Sequence, residues 1–146
     1  MSIQSTNHTI DELINRAYRQ LKTEFSHQEK KVFVKPEIIS HNRRTYITNF
    51  IKYCESIERE PETVKKFLEK DMGTSSSIVS ENSLATEKSG LKFSTTFRQQ
   101  VVMTSITNYM KIYVLCKICR SGCTEIIKKD KILFVCCRNC KADNAV

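Results

Sequence analysis

Hydrophobic positions along this chain recur at intervals that change from segment to segment, and the intervals predict the elements. Between residues 9 and 25, Ile10, Leu13, Ile14, Ala17, Tyr18, Leu21 and Phe25 recur at helical spacing. Asp11, Glu12, Asn15, Arg16, Arg19 and Lys22 occupy the opposite side. The pattern predicts an amphipathic helix, and Thr9 and Glu12 have the spacing of a capping box at its start. Ser26 to Lys31 contains no apolar residue and reads as a linker. A striped helix on a polar tether has two outcomes. Its apolar face folds back on its own domain, or it lies in a groove of another protein.

The central block, about Val32 to Tyr113, changes period repeatedly. Val32–Val34 and Glu37–Ile39 predict extended chain, with Pro36 opposing a helix there. Asn42-Arg43-Arg44 predicts a turn into a strand at Thr45-Tyr46-Ile47. Phe50, Tyr53, Cys54 and Ile57 predict a helix over 49–59. Pro61 suits the first turn of another helix, with Val64, Phe67, Leu68 and Met72 as its stripe and Gly73 as its left-handed end. Two short strands should flank a polar loop between Ile78 and Leu91. A last helix over 97–113 should turn Val102, Ile106, Tyr109, Met110 and Tyr113 inward. This order lacks βαβ regularity, so the fold class is α+β: a small, mostly antiparallel sheet with helices on one face.

The C-terminal stretch is punctuated by cysteine. Cys116-Lys-Ile-Cys119 and Cys137-Arg-Asn-Cys140 stand 17 residues apart, the spacing of a four-cysteine zinc site. Each pair needs a tight knuckle to turn two thiolates toward one tetrahedral ion, at about 2.3 Å. Thr124–Ile127 and Ile132–Val135 predict the strands of a hairpin between the knuckles, with Lys128-Lys129-Asp130 as its turn. Four thiolates leave no open position, so the Zn²⁺ is expected to be structural. Free thiols or disulfides are the alternatives. The mostly polar first residues do not read as a signal peptide, which favours zinc and a cytoplasmic chain. Cys54 lies on a helical stripe and should be core, Cys136 should point away from its neighbouring ligand, and Cys123 is a spare ligand. The chain thus divides into 1–31 (docking helix and linker), 32–113 (α+β domain) and 114–146 (zinc ribbon).

Composition narrows the chemistry. No apolar run approaches the length of a membrane span. The net charge is +8, and residues 111–146 hold eight Lys/Arg against three acids, so most of the excess lies on the ribbon. Lys128, Lys129, Lys131 and Arg138 are therefore candidate phosphate contacts, against the alternative of a merely solvated face. No Gly-rich phosphate loop or HExxH occurs, and the three histidines (8, 27 and 41) sit in polar segments. No enzyme is predicted.

Several segments resemble, in order, the β subunit of archaeal and eukaryotic translation initiation factor 2. Tyr113-Val-Leu-Cys-Lys-Ile-Cys-Arg-Ser121 is similar to the family's Tyr-Val-x-Cys-x-x-Cys-x-Ser, and Asn49-Phe-Ile-Lys-Tyr-Cys54 to its Asn-Phe-x-x-x-Cys. Leu68-Glu-Lys-Asp-Met-Gly-Thr-Ser-Ser-Ser-Ile78 resembles Glu-Leu-Gly-Thr-x-x-Ser-Ile, and Leu13-Ile-Asn-Arg-Ala-Tyr-Arg-Gln-Leu21 resembles the helix that docks on the γ subunit. The resemblance implies a partner, the GTP-binding γ subunit, with Leu13, Ala17, Tyr18 and Leu21 as anchors. It also implies a role in delivering initiator methionyl-tRNA to the small ribosomal subunit. The loop after Ile78 is longer than the family's, and the glycine before the last helix is replaced near Thr95. Two rivals share parts of the pattern. One is the N-terminal half of initiation factor 5, a modulator of GTP hydrolysis. The other is a transcription-type zinc ribbon that binds polymerase or nucleic acid.

Overall fold

The computed structural model describes residues 9–25, 31–80 and 90–146, with side chains as far as Gln20 in the first stretch. The linker up to residue 30, the loop 81–89 and the side chains of Leu21 and Phe25 lie outside the described residues. Helix α1 spans Ile10–Phe25. Glu12 reaches back to accept a bond from the Thr9 N–H at 3.3 Å, the glutamate half of a capping box, and the Leu13 N–H makes the first helical bond to the Thr9 carbonyl at 3.1 Å.

The central sheet is antiparallel throughout, in the order β1 (Ile38–His41), β2 (Arg44–Ile47), β4 (Gly90–Phe93), β3 (Ser76–Val79). Register aligns Ile38, Ile47, Leu91 and Ile78 in one row across it. Successive residues alternate faces, so the next row on that side is Ser40, Thr45, Phe93 and Ser76. Against this face pack α2 (Phe50–Ser56) and α4 (Gln99–Tyr109), with α3 (Pro61–Met72) packed on both helices in the same core. Phe50, Cys54, Ile57, Leu68, Leu91, Phe93 and Val102 are fully buried there. Each of the Phe, Leu, Ile and Val side chains among them contributes about 1.5–3 kcal/mol by leaving water. The Asn49 side chain fixes the entry to α2: Oδ1 accepts from the Glu37 N–H at 2.8 Å, and Nδ2 donates to the Lys35 carbonyl at 2.7 Å.

Where the structure departs from the sequence reading, the cause is local. Val32–Val34 forms no strand; instead Phe33 packs between the core and Gly122, whose missing side chain makes room. The two hairpin turns read as three residues from sequence are each two residues long. Asn42-Arg43 and Asp130-Lys131 adopt positive φ, the requirement of a two-residue turn matched to strand twist. Arg44, Lys128 and Lys129 therefore belong to strands, not turns. The last helix starts later because the Thr45 hydroxyl accepts the Phe97 N–H at 2.8 Å and holds that residue outside it. It also widens at its end into a π turn, Met110–Val114, where the Leu115 N–H reaches the Met110 carbonyl at 2.7 Å.

Helix α2 ends at Ser56, Ile57 caps it, and Glu58 beyond the cap is left-handed. The Glu58 N–H bonds the Glu55 carbonyl and the Arg59 N–H the Cys54 carbonyl, both at 3.0 Å, the pattern of a Schellman end. This turn aims Arg59 at the C-terminal sheet, β5 (Thr124–Lys129), β6 (Ile132–Cys137) and β7 (Asp143–Ala145). Only 8% exposed, Arg59 donates to the Tyr113 carbonyl (2.9 Å), the Thr124 carbonyl (3.0 Å), the Thr124 hydroxyl (2.7 Å) and the Glu58 carbonyl (2.9 Å). One side chain thus ties the α2–α3 corner, the π turn and the first ribbon strand together.

Two outcomes are expected. Gly90 has φ +116°, and a β-carbon there would stand 2.0 Å from the Ile47 carbonyl oxygen. Gly90→Ala should cost about 2 kcal/mol or more in urea unfolding; unchanged stability would contradict this geometry. Arg59→Met keeps the bulk but strands buried acceptors on two elements, and should cost about 3 kcal/mol. A loss under about 0.5 kcal/mol, the scale of an ordinary surface change, would show that the guanidinium does not join the units.

Candidate metal centre and exposed partner surfaces

Two knuckles of like geometry bring Cys116, Cys119, Cys137 and Cys140 together. In the first, the Arg120 N–H bonds the Cys116 carbonyl at 2.9 Å and the Cys116 N–H bonds the Ser121 carbonyl at 2.9 Å. In the second, the Lys141 N–H bonds the Cys137 carbonyl at 3.1 Å and the Cys137 N–H bonds the Ala142 carbonyl at 2.9 Å. Arg120 and Lys141 occupy corresponding left-handed positions. The repeated bonding turns both pairs of thiols to one point.

All four Sγ atoms lie within 4.8 Å of one another, with Cys116–Cys140 and Cys119–Cys137 at 3.5 Å. A tetrahedron with metal–sulfur bonds of about 2.3 Å has edges of about 3.8 Å, so the arrangement can hold a metal ion. Further donors approach the sulfurs. The Ile118 N–H lies 3.4 Å from Cys116 Sγ and the Cys140 N–H 3.5 Å from Cys137 Sγ. The amides of Asn144 and Asn139 lie 4.0 Å from Cys116 and Cys119 respectively. Sequence reading missed both asparagines, although each is within four residues of a ligand.

Crowding shows in the acidities. Burial raises Cys116, but the N–H groups of Cys119 and Ile118 and the neighbouring thiols outweigh it and bring the pKa down to about 7. Burial pushes Cys137 up to about 12, and burial likewise raises Cys140. Four thiols in contact resist successive ionisation, and a divalent cation at their centre removes that conflict.

The remaining cysteines take the roles expected of them or stand aside. Cys54 is buried in the core, and Cys123 is not among the four converging sulfurs. Cys136 faces Asp143 across the sheet, and the hydrogen bond between them raises the thiol and lowers the carboxyl.

The candidate phosphate contacts separate into two groups. Arg138 is held 3.3 Å from Glu58 and 3.5 Å from Glu125, and Lys129 lies 3.6 Å from Asp143 and over the Phe134 ring. Lys128 and Lys131 stand exposed at the hairpin end. Glu58 also meets Lys31 at 2.6 Å, and its carboxyl is held below the usual range chiefly by that contact. Lys31, Glu58, Arg138 and Glu125 thus form a chain of opposite charges across the joint. Only Arg138 in it was singled out from sequence, because the pairing depends on the fold.

On α1, residues 10–20 are all exposed. Leu13 is 50% and Tyr18 64% exposed, and Ala17 stands beside them one turn along. Leu21 continues the stripe along the helix, with its side chain outside the described residues. Among the described residues, no helix is long and apolar enough to cross a membrane.

Residues 20–143 match a family model described as a domain found in initiation factors 2B and 5. The chain is similar to the translation initiation factor 2 subunit beta of Metallosphaera sedula, 30% identical over 134 residues that cover 92% of this chain and 91% of the relative. That of Methanopyrus kandleri is 26% identical over 136 residues, 93% of each chain. Eukaryotic translation initiation factor 2 subunit 2 of Caenorhabditis elegans is 27% identical over 139 residues, which cover 92% of this chain and 53% of the relative. A family match across most of the chain, together with a relative that aligns nearly end to end, shows that this chain belongs to the family of translation initiation factor 2 beta subunits and initiation factor 5 domains.

Proposed function

We propose that this chain acts as a beta-type subunit of translation initiation factor 2 in the cytoplasm. It assembles with a GTP-binding γ subunit and helps deliver initiator methionyl-tRNA to the small ribosomal subunit. The observation that carries the reading is α1. Its apolar stripe is exposed, so it is available to another protein in the way an isolated amphipathic helix requires. Leu13, Ala17, Tyr18 and Leu21 are the anchors, since aromatic and aliphatic side chains entering pockets concentrate binding energy. The chain works in three parts, 1–31, 32–113 and 114–146, and contributes binding surfaces, with no catalysis of its own. The four cysteines hold one structural Zn²⁺, which suits a soft thiolate set with no open position. Lys128 and Lys131 are the first choice for RNA phosphates, with Lys129 and Arg138 recruited by breaking their ion pairs.

Two measurements test this. Leu13→Ala with Tyr18→Ala should weaken capture by a γ subunit at least a hundredfold, roughly 3 kcal/mol. Unchanged capture would move the interface off α1. Stimulation of GTP hydrolysis without stable capture would instead favour the factor 5-like role. Chelation should remove amide protection from 116–146 while β2, β4 and α3 keep theirs, because the ribbon's fold rests on the metal. Protection that survives in the ribbon would contradict structural zinc.

A further inference from the structure

The joint between α3, the π turn and the ribbon leaves a groove of about 490 Å³ whose lining includes Phe67, Tyr113, Leu133, Lys66 and Lys70. The Phe67 and Tyr113 rings meet edge to face at 5.6 Å, and Tyr113 stacks on Tyr109 at 5.2 Å and 27°. Both Phe67 and Tyr113 remain half-buried, so aromatic surface is left open to the groove. Lys66 and Lys70 are exposed and stand one helical turn apart, about 6 Å. Pairing sets Lys128 directly across from Leu133 on the same face of the hairpin, which brings a third lysine beside the groove. Asp71, the acid of the lining, already accepts the Ser105 hydroxyl at 2.6 Å.

We infer that this groove binds single-stranded RNA, with a base on the Phe67–Tyr113 surface and flanking phosphates on Lys66, Lys70 and Lys128. The observation is the convergence of aromatic rings and lysines contributed by three separate elements, α3, the π turn and the hairpin. Stacking on aromatic rings within a basic groove is the common mode of binding unpaired strands, and it accepts any base. An acidic peptide would use the same charges. The groove's aromatic surface and its continuity with the lysine-bearing hairpin end favour a nucleic acid. The choice of RNA rests on the translational role proposed above; the groove extends the hairpin's phosphate surface onto α3.

The test uses the full, zinc-loaded chain and fluorescence anisotropy with a labelled oligouridine. Polyglutamate serves as competitor, and γ-subunit capture is measured on the same samples. Lys66→Glu with Lys70→Glu, both on an exposed face, should weaken oligouridine at least tenfold and lower the salt slope by about 1.4, while capture stays intact. Tyr113→Leu should weaken it further with less change in slope. Native affinity in the Lys66/Lys70 variant, with loss in a Lys128→Glu variant, would confine RNA to the hairpin and overturn the groove. Absence of oligouridine binding by the native chain would overturn it too, whether or not capture persists. Displacement by polyglutamate as effective as by RNA would make the groove a peptide site and overturn the assignment. Intact capture in any of these cases leaves the subunit role standing.

Discussion

A guanidinium carries N–H donors in a fixed fork and no acceptor, so a buried arginine dictates what surrounds it. Arg59 meets this demand with carbonyls at the end of α2, at Tyr113 and on Thr124, and with the Thr124 hydroxyl, which itself donates to the Val114 carbonyl. Burial lowers the pKa of the group, but a guanidinium starts so high that it stays charged. A neutral side chain could fill the same volume but could not satisfy acceptors on two elements at once. The four-cysteine cluster gathers the ribbon's two knuckles at one point; Arg59 and the Phe33–Gly122 contact decide where the ribbon sits. The groove beside Tyr113 exists only because this joint exists.

Much of this was legible in the sequence because the signals were local. Cys-x-x-Cys pairs, the Pro61 and Gly73 boundaries, and the stripes of α1, α2 and α3 each depend on residues a turn or two apart. Arg59 was not legible. Within the segment 49–59 it reads as one more solvated charge, and its partner Thr124 lies 65 residues away. The Schellman end was hidden for a related reason: Glu58 occupies the left-handed position where glycine would have announced it. The turn positions shifted because Asp130-Lys131 and Asn42-Arg43 lack glycine too. Val32–Val34 has the composition of a strand, but Phe33 fills the space over Gly122 and the Val34 N–H bonds the Ser56 hydroxyl instead of a neighbouring strand.

Charge on the ribbon is less free than a count implies. Arg138 and Lys129 are already engaged with carboxylates, and such exposed pairs are worth only about 0–1 kcal/mol, so a phosphate can displace them. Because Glu58 also holds Lys31, the segment leading from α1 meets the ribbon electrostatically at one carboxylate. Binding at either end would alter the other only slightly through that pair. The larger organising forces are the sulfur cluster and the buried guanidinium.

On the proposed assembly, α1 joins this chain to a γ subunit while the rest folds independently around its sheet and its four-cysteine cluster. The most direct measurement is capture by an initiation factor 2 γ subunit of the full chain and of residues 26–146, both loaded with zinc. Capture of the full chain alone, with the shorter chain folded, is the expected result. Equal capture of both would place the interface elsewhere, and capture of neither would contradict the beta-subunit role.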